Sequence, residues 1–327
     1  MLSRNAYGLY WIGRYMERAS FVSRLIIDQL RAIQDRPIED IHAGWKRLYT
    51  TLGTQPVSVE LDQNMDEEHF MLADVFTLTD DLVFESYNPD AVLSCLATAR
   101  ENARQIRNNI TYEMWTCLNV AYLEMRDVRL QDIWNTQPED FLTKAALAVR
   151  TFNGVADSTM YRDHGWLFLR VGIFQERTIN ITSLLRSHIN LFPTSEAHRE
   201  WNWSSLLGIC EVRSAFRNQY SIKFNPHQVI EFLFADEKLA ISAYSALTKI
   251  QHILSELTAN HPDQKNRPGL QIRNALALFE DQWPNRNKQD DLQTLDIINR
   301  VNHACQLLNH DLEQNYFFYE IEDTPPA

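Results

Sequence analysis

The chain has 327 residues, 45% of them hydrophobic, which is ample for a continuous core. Its formal net charge of −12 disfavours a general binder of nucleic acid or of anionic membranes, because both need a basic surface. Only 9 Gly and 11 Pro occur, with long stretches free of both, so the composition favours the all-α class, a multi-helix bundle with few tight turns.

Apolar periodicity and turn residues predict the helices of the first half. These helices are expected over about residues 5–34, 39–52, 65–84, 89–130 and 138–151. Ser3 is expected to cap the first, and Gly53 to end the second. Asn88 as cap and Pro89 as first residue should open the fourth, and Pro138 should open the fifth.

A turn is expected at 152–163, where Asp163 can cap the long helix that follows. The helices of the second half are expected over about residues 164–190, 203–220, 226–234, 237–258, 268–281 and 288–319. Pro193 should close the first of these helices. No linker divides the chain, so we expect one domain, 1–327, with related halves at about 1–151 and 152–327.

A Gly-x-x-x-Glu-Arg pattern occurs twice inside helical apolar segments, as Gly13, Glu17 and Arg18 and as Gly172, Glu176 and Arg177. Gly inside a helix costs roughly 1 kcal/mol relative to Ala, so its presence one turn before Glu indicates a close helix crossing beside a carboxylate. The side chain of the Arg directly after this Glu points about 100° further round the helix than the Glu side chain. Two interpretations follow. One is a structural ion pair with another helix. The other is a polar pocket at the centre of a pseudo-twofold bundle, which contains an internal pseudo-duplication of long helices.

Three arginines fall on one stripe of a predicted helix, Arg100, Arg104 and Arg107. Such a stripe needs counter-charges, which Glu17 and Glu176 or the oxygens of a bound phosphate or carboxylate could supply. The alternative is an ordinary solvated face. The intermediate interpretation is that these arginines belong to an internal salt-bridge network.

The sequence carries only weak signals for acid–base, metal or nucleotide chemistry. His164 next to Asp163 could serve acid–base work, but sequence adjacency is weak evidence because catalytic partners usually come from separate elements. Without a Glu-x-x-His or His-Glu-x-x-His motif we predict no metal site. Without a Gly-rich phosphate loop or nucleophile elbow we predict no cofactor and leave the catalytic residues unassigned.

The cysteines and the hydrophobic pattern predict the compartment. Four cysteines stand far apart without a Cys-x-x-Cys pair, at Cys95, Cys117, Cys210 and Cys305. We therefore expect reduced thiols in a cytoplasmic protein. The N-terminal segment carries charges within its apolar pattern and no stretch reaches membrane-spanning length, so neither export nor membrane association is expected.

Four blocks taken together resemble the alpha-E domain family, a bacterial all-helical family of uncertain biochemical role. The blocks are MLSRNAYGLYWIGRYMERA, ARENARQIRNNITYEMWTCLN, STMYRD through GWLFLRVGIFQER, and SLLGICEVRSAFRNQY. Carried onto this chain, the family's acidic and basic motif positions are Arg4, Arg14, Glu17, Arg18, Glu101, Asn102, Arg104, Arg107, Glu113, Arg170, Glu176, Arg177 and Glu211. The chain departs from the family pattern at Ser20, at Ile173, where Arg is common, and at 178–179, which weakens a symmetrical two-site model.

The resemblance implies association with circularly permuted ATP-grasp ligases and transglutaminase-like proteins that make or process peptide-like amide bonds. We therefore expect an accessory protein whose Arg and Glu side chains hold an anionic or peptide-like ligand for an ATP-grasp ligase, which would itself bind ATP and Mg. One alternative is an enzyme with a Glu-rich acid–base or metal centre acting on amides, with Glu101, Glu113 and Glu211 as additional ligands. Another is a purely structural interaction protein.

Overall fold

The structure, a computed structural model, describes residues 1–56, 72–134, 136–195, 200–220, 223–259 and 267–317. Within these ranges every regular element is helical, which confirms the all-α class. The helices of the first half are α1 (Ser3–Asp35), α2 (Ile38–Leu52), α3 (Leu72–Val83), α4 (Val92–Gln105), α5 (Tyr112–Met125), α6 (Leu130–Ile133) and α7 (Pro138–Thr159). Those of the second half are α8 (His164–Leu191), α9 (Glu200–Ile209), α10 (Arg213–Gln219), α11 (Pro226–Phe234), α12 (Ala243–Ala259), α13 (Arg267–Asp281) and α14 (Asp291–Leu312).

Two long central helices, α1 and α8, form the most extensive helix–helix contact of the molecule. Helices α4 and α7 flank α1, while α2, α12 and α14 pack on α8. The apolar face predicted for the first helix is buried at every predicted position, namely Leu9, Ile12, Met16, Ala19 and Ile26. One contiguous cluster of buried apolar side chains continues from this face through both halves of the chain.

The α1–α8 crossing is close because each helix presents a glycine to the other's backbone. A Cβ on Gly13 would overlap the carbonyl oxygen of Leu169, and a Cβ on Gly172 would overlap the carbonyl oxygen of Tyr10. Neither backbone can yield as a flexible side chain would. The glycine expected to mark a close helix crossing therefore does so in both copies of the motif.

Several predicted helix ends are confirmed. Gly53 follows α2 with a left-handed φ of 70°, a conformation that glycine adopts without steric cost. Pro138 is the first residue of α7, and α8 ends at Leu191, shortly before Pro193. In the part of the chain that the structure describes, no helix combines the length and the apolar character needed to cross a bilayer.

The predicted N-terminal caps of two helices are wrong. Helix α1 begins at Ser3 itself, and Leu2 occupies the cap position without a side-chain hydrogen bond. Asn88 instead folds a turn before α4, because its Oδ1 accepts a hydrogen bond from the backbone N–H of Asp90 at 3.0 Å. The helix therefore begins after Pro89 rather than at it.

The single helix predicted over 89–130 is divided into α4 and α5 by a short 3-10 turn, Arg107–Asn109. Ile106 leaves the helical conformation and buries its side chain against α1 beside Gly8. Thr111 then caps α5, since its Oγ1 accepts a hydrogen bond from Met114 N at 3.2 Å. Side-chain hydrogen bonding and tertiary packing override the continuous helical pattern here.

Other predicted boundaries also need correction. The turn expected at 152–163 is mostly helical, because α7 continues to Thr159. The helix expected at 203–220 is split between α9 and α10, with Glu211 in a left-handed conformation at φ 59° in the turn between them. Residues 65–71 and 318–319 of two predicted helices lie outside the described residues.

We predict opposite effects on stability for two glycine substitutions. Gly172→Ala should lower the free energy of unfolding by about 1 to 3 kcal/mol or more, because the added methyl group overpacks the crossing. Gly154→Ala, in exposed helical backbone with no atom within 4 Å of the new Cβ, should raise it by about 0.5–1 kcal/mol. Urea denaturation followed by circular dichroism measures both. Equal effects of the two substitutions would contradict the close crossing.

Candidate functional site

The Glu-Arg motifs meet at the α1–α8 crossing and exchange partners. Arg177 Nε and Nη2 donate to Glu17 Oε1 and Oε2 at 2.9 and 3.0 Å. Arg18 Nε and Nη2 donate to Glu176 Oε1 and Oε2 at 2.7 and 3.3 Å. Each glutamate is thus bound bidentately by the arginine of the other motif, which confirms that carboxylates from the two halves converge with guanidinium groups.

The arrangement is asymmetric because Arg14 adds a guanidinium on one side only. Its Nε donates to Glu176 Oε2, and the equivalent residue on α8 is Ile173, which cannot make the reverse contact with Glu17. Glu176 therefore has two arginine partners and Glu17 has one. The isoleucine at position 173, where α1 has Arg14, therefore leaves Glu17 with fewer guanidinium partners than Glu176.

The network extends from Arg14 to the C-terminal helix. Arg14 Nη1 donates to the hydroxyl of Tyr10 at 2.6 Å, and this hydroxyl donates to Asn309 Oδ1 at 2.7 Å. Gln175 Oε1 lies 3.0 Å from the same hydroxyl as an alternative acceptor. Burial raises the pKa of Tyr10 to about 12, although Arg14 acts in the opposite direction. Tyr10 is therefore a neutral hydrogen-bonding group at physiological pH.

The two motif carboxylates are buried but remain ionised. Glu17 is 6% exposed and Glu176 is 2% exposed. Burial alone would raise the pKa of Glu176, yet attraction by Arg14 and Arg18 outweighs burial and lowers the pKa to about 2. Arg177 lowers the pKa of Glu17 against the same effect of burial. Neither carboxyl group is poised to exchange a proton near neutral pH.

The stripe Arg100, Arg104 and Arg107 does not join this crossing. Arg104 is exposed and pairs with Glu101 on its own helix, at 2.8 and 2.7 Å. Arg100 donates to Asn119 on α5 at 2.7 Å, and Arg107 lies over a tryptophan ring of α5 at 4.7 Å from its centroid. Glu17 and Glu176 are therefore not the counter-charges of these arginines.

The remaining candidate residues are dispersed. Arg4 and Glu113 are exposed, Asn102 is half-buried on α4, and no described contact joins these three to the crossing. Glu211 is exposed and pairs with Arg150 of α7. Only part of the candidate set inferred from the family resemblance thus converges at one place.

Asp163 is a helix cap, as one of the two interpretations expected. Its Oδ1 accepts hydrogen bonds from Gly165 N at 2.8 Å and from Trp166 N at 3.2 Å, at the start of α8. The carboxylate is therefore engaged by the helix terminus. These contacts give Asp163 a structural role beside His164.

Sequence reasoning missed a second buried polar cluster, where α1, α2, α8 and α9 meet. Arg47 Nη2 donates to Asp28 Oδ2 and to Ser205 Oγ, both at 3.2 Å, and Arg47 Nη1 lies 3.3 Å from His188 Nδ1. Burial, with a smaller contribution from Arg47, holds the pKa of His188 well below its usual value. The only sequence signal was an arginine within the apolar face of the second predicted helix.

Cysteines, potential metal ligands and pockets are the other features that could carry chemistry. All four cysteines are free thiols, as predicted. Among the residues that the structure describes, no three His, Cys, Asp or Glu side chains are grouped as metal ligands. Surface pockets of about 830 Å³, among α5, α6 and α7, and about 360 Å³, near α11 and α13, have no crossing residue in their walls.

Comparison with known proteins identifies the family. A family model named Alpha-E, described as a predicted alpha-helical domain with a conserved ER motif, matches residues 1–317. The chain carries a Glu-Arg pair on each helix of the crossing, Glu17 with Arg18 and Glu176 with Arg177. No solved structure matches the chain.

Similar curated proteins come from mycobacteria. They include the uncharacterized proteins Mb2597 of Mycobacterium bovis and MT2643 and Rv2567 of Mycobacterium tuberculosis, each 23% identical over 261 residues. The matched region is 76% of this chain and 29% of each relative. The chain therefore spans about three tenths of the length of the curated relatives it matches.

Two carboxylate substitutions should differ sharply in their effect on stability. Glu176→Ala should lower the free energy of unfolding by about 3 to 5 kcal/mol, because it leaves the buried Arg14 without a counter-charge. Glu101→Ala removes an exposed pair within one helix and should change stability little. Urea unfolding of both variants measures the difference, and similar midpoints would show that the crossing pair is not a stabilising interaction.

Acid should remove the contribution of Glu176 to stability. Its pKa is lowered from 4.5 to about 2 in the folded chain, so the contribution is present above pH 4.5 and is lost as the pH falls toward about 2. The difference in unfolding free energy between the wild type and Glu176→Gln should shrink over this range. Denaturant titrations at a series of pH values test this, and a constant difference would contradict it.

Proposed function

The chain belongs to the Alpha-E family, and from this premise we propose that it is an accessory helical protein. It holds an anionic or peptide-like ligand for a partner ATP-grasp ligase that forms or processes a peptide-like compound. ATP and Mg are bound by the ligase, since the chain carries no Gly-rich phosphate loop. A transglutaminase-like protein is a second proposed partner, and the proposed place of action is the cytoplasm.

The observation that carries the non-catalytic part of this proposal is the complete pairing of the motif carboxylates. Glu17 and Glu176 each have both oxygens bound by guanidinium groups, and the pKa of Glu176 is about 2. A carboxylate in this state is a poor general acid or base near neutral pH. The motif is therefore better suited to fixing two helices in register than to transferring protons.

The lengths of the mycobacterial relatives support a role beside other domains. The matched segment makes up only 29% of each relative. A helical module that recurs inside much longer chains fits a protein that presents a ligand to a neighbouring catalytic domain. The acidic net charge of −12 supports protein or small-molecule partners over nucleic acid or membrane.

A purely structural interaction protein is the second candidate, and the burial of the crossing favours it. Glu17 and Glu176 would then stabilise the bundle without any ligand. The enzyme alternative, a Glu-rich acid–base or metal centre acting on amides, has weaker support because both motif carboxylates are neutralised by arginine.

Association with the ligase tests the proposal directly. The purified chain should form a stable complex with an ATP-grasp ligase encoded beside its gene, and it should change the rate at which that ligase releases ADP with its acceptor. Size-exclusion chromatography with light scattering measures the complex, and a coupled ADP assay measures the rate. Absence of both effects would overturn the accessory role.

The variant Glu17→Gln distinguishes a purely structural role of Glu17 from direct contact between Glu17 and the ligand. Because the crossing fixes the helices, the variant should melt at a lower temperature but still bind the ligase when folded. Loss of binding without loss of stability would place Glu17 in the ligand site. Stoichiometric metal in the purified wild type, measured by elemental analysis, would favour the enzyme alternative instead.

A further inference from the structure

Cations and aromatic rings of α8 and of the turn before it form a cluster that we call the α8 cationic face. Its members are Arg162, Trp166, Arg170, the buried Phe174 and Arg177, together with Lys249 of α12. Arg162 and Arg170 lie over the ring of Trp166, at 3.6 and 5.0 Å from its centroid. Arg170, Lys249 and Arg177 surround the ring of Phe174, at 4.6, 5.1 and 5.7 Å. The rings position these cations by cation–π interactions and packing.

The α8 cationic face has fewer carboxylates than cations. Asp157, half-exposed at the end of α7, lies 3.6 Å from Arg170 and 3.9 Å from Arg162. Glu17 is fully engaged by Arg177. Lys249 has no carboxylate partner among the described residues. Burial lowers its pKa, and the neighbouring Arg177 and Arg170 lower it further.

The two copies of the motif differ in what meets the remaining guanidinium nitrogen, Nη1, of the arginine. On the α1 side, Arg18 binds Glu176 through Nε and Nη2, and its remaining Nη1 donates to Asp90 Oδ1 at 2.6 Å. On the α8 side, Arg177 binds Glu17 in the same way. Within the described ranges, no protein acceptor meets Arg177 Nη1. The two arginines are similarly exposed, at 19% and 21% of the side chain.

We propose that the α8 cationic face is an oxyanion-binding site, at which a ligand carboxylate takes the position on Arg177 that Asp90 takes on Arg18. Arg170 and Lys249 contact the same Phe174 ring as Arg177. Guanidinium groups bind carboxylate and phosphate oxygens alike, and the peptide origin of the carboxylate rests on the proposed function. The expected ligand is an acidic peptide, which the surplus of cations would attract despite the acidic charge of the whole chain.

Isothermal titration of the full chain with a tetraglutamate peptide, at low ionic strength and without ligase, tests the site. The wild type should bind, with an affinity that falls as salt is added. Lys249→Gln and Arg170→Gln should each weaken binding at least about tenfold, which corresponds to about 1.4 kcal/mol. Lys249→Arg keeps the charge and should retain binding.

The matched controls carry the same change of charge elsewhere. Arg126→Gln and Lys144→Gln, made singly, each neutralise one exposed cation outside the α8 cationic face and should bind like the wild type. Lys249→Glu should abolish binding, because it supplies within the chain the carboxylate that the face lacks. Circular dichroism melting verifies that each variant is folded, and only folded variants are compared.

The outcomes separate this site from the proposed function. Binding of inorganic phosphate but not of tetraglutamate, lost in Lys249→Gln, would support the oxyanion site and identify free phosphate as its ligand. Binding of neither, or equal loss in the control variants, would overturn the site. Because no ligase is present, peptide binding by a chain that fails to associate with the ligase would overturn only the accessory role.

Discussion

Two carboxylates, Glu17 and Glu176, are buried where α1 crosses α8, and each is held by the arginine that follows the other. This exchange of arginine partners requires the backbones of α1 and α8 to lie close together, and Gly13 and Gly172 allow that approach. Burying such charges is costly, and the cost is offset only when every oxygen is paired. The register of the two central helices, and of the helices packed on them, therefore depends on this crossing.

The Glu-Arg motif occurs twice in the sequence, but its two copies have different charged partners at the crossing. On the α1 side Arg14 and Asp90 add partners around Glu176 and Arg18, and the network continues to the C-terminal helix. On the α8 side, Ile173 stands at the position of Arg14 and supplies no charge. The two copies of the motif therefore differ in their charged partners, through one variable position inside the motif and through Asp90 outside it.

The Glu-Arg motif has a structural role at the crossing. Substitutions there are expected to act on stability, since its carboxylates already have partners. The α8 cationic face adjoins the crossing and shares Arg177 with it, so a bound anion would be sensed by the contact between the two central helices.

The sequence by itself determined the all-α class, most central helices and the convergence of two Glu-Arg motifs, because apolar periodicity and glycine spacing are local properties of a helix. Tertiary structure alone decided the partners. It assigned Arg14 to Glu176, left Arg104 on an exposed face, broke the helix at Ile106, and built the Asp28–Arg47 cluster. Each of these features depends on which face of a helix distant in sequence packs against the residue concerned. Residue spacing within one helical segment does not encode that pairing.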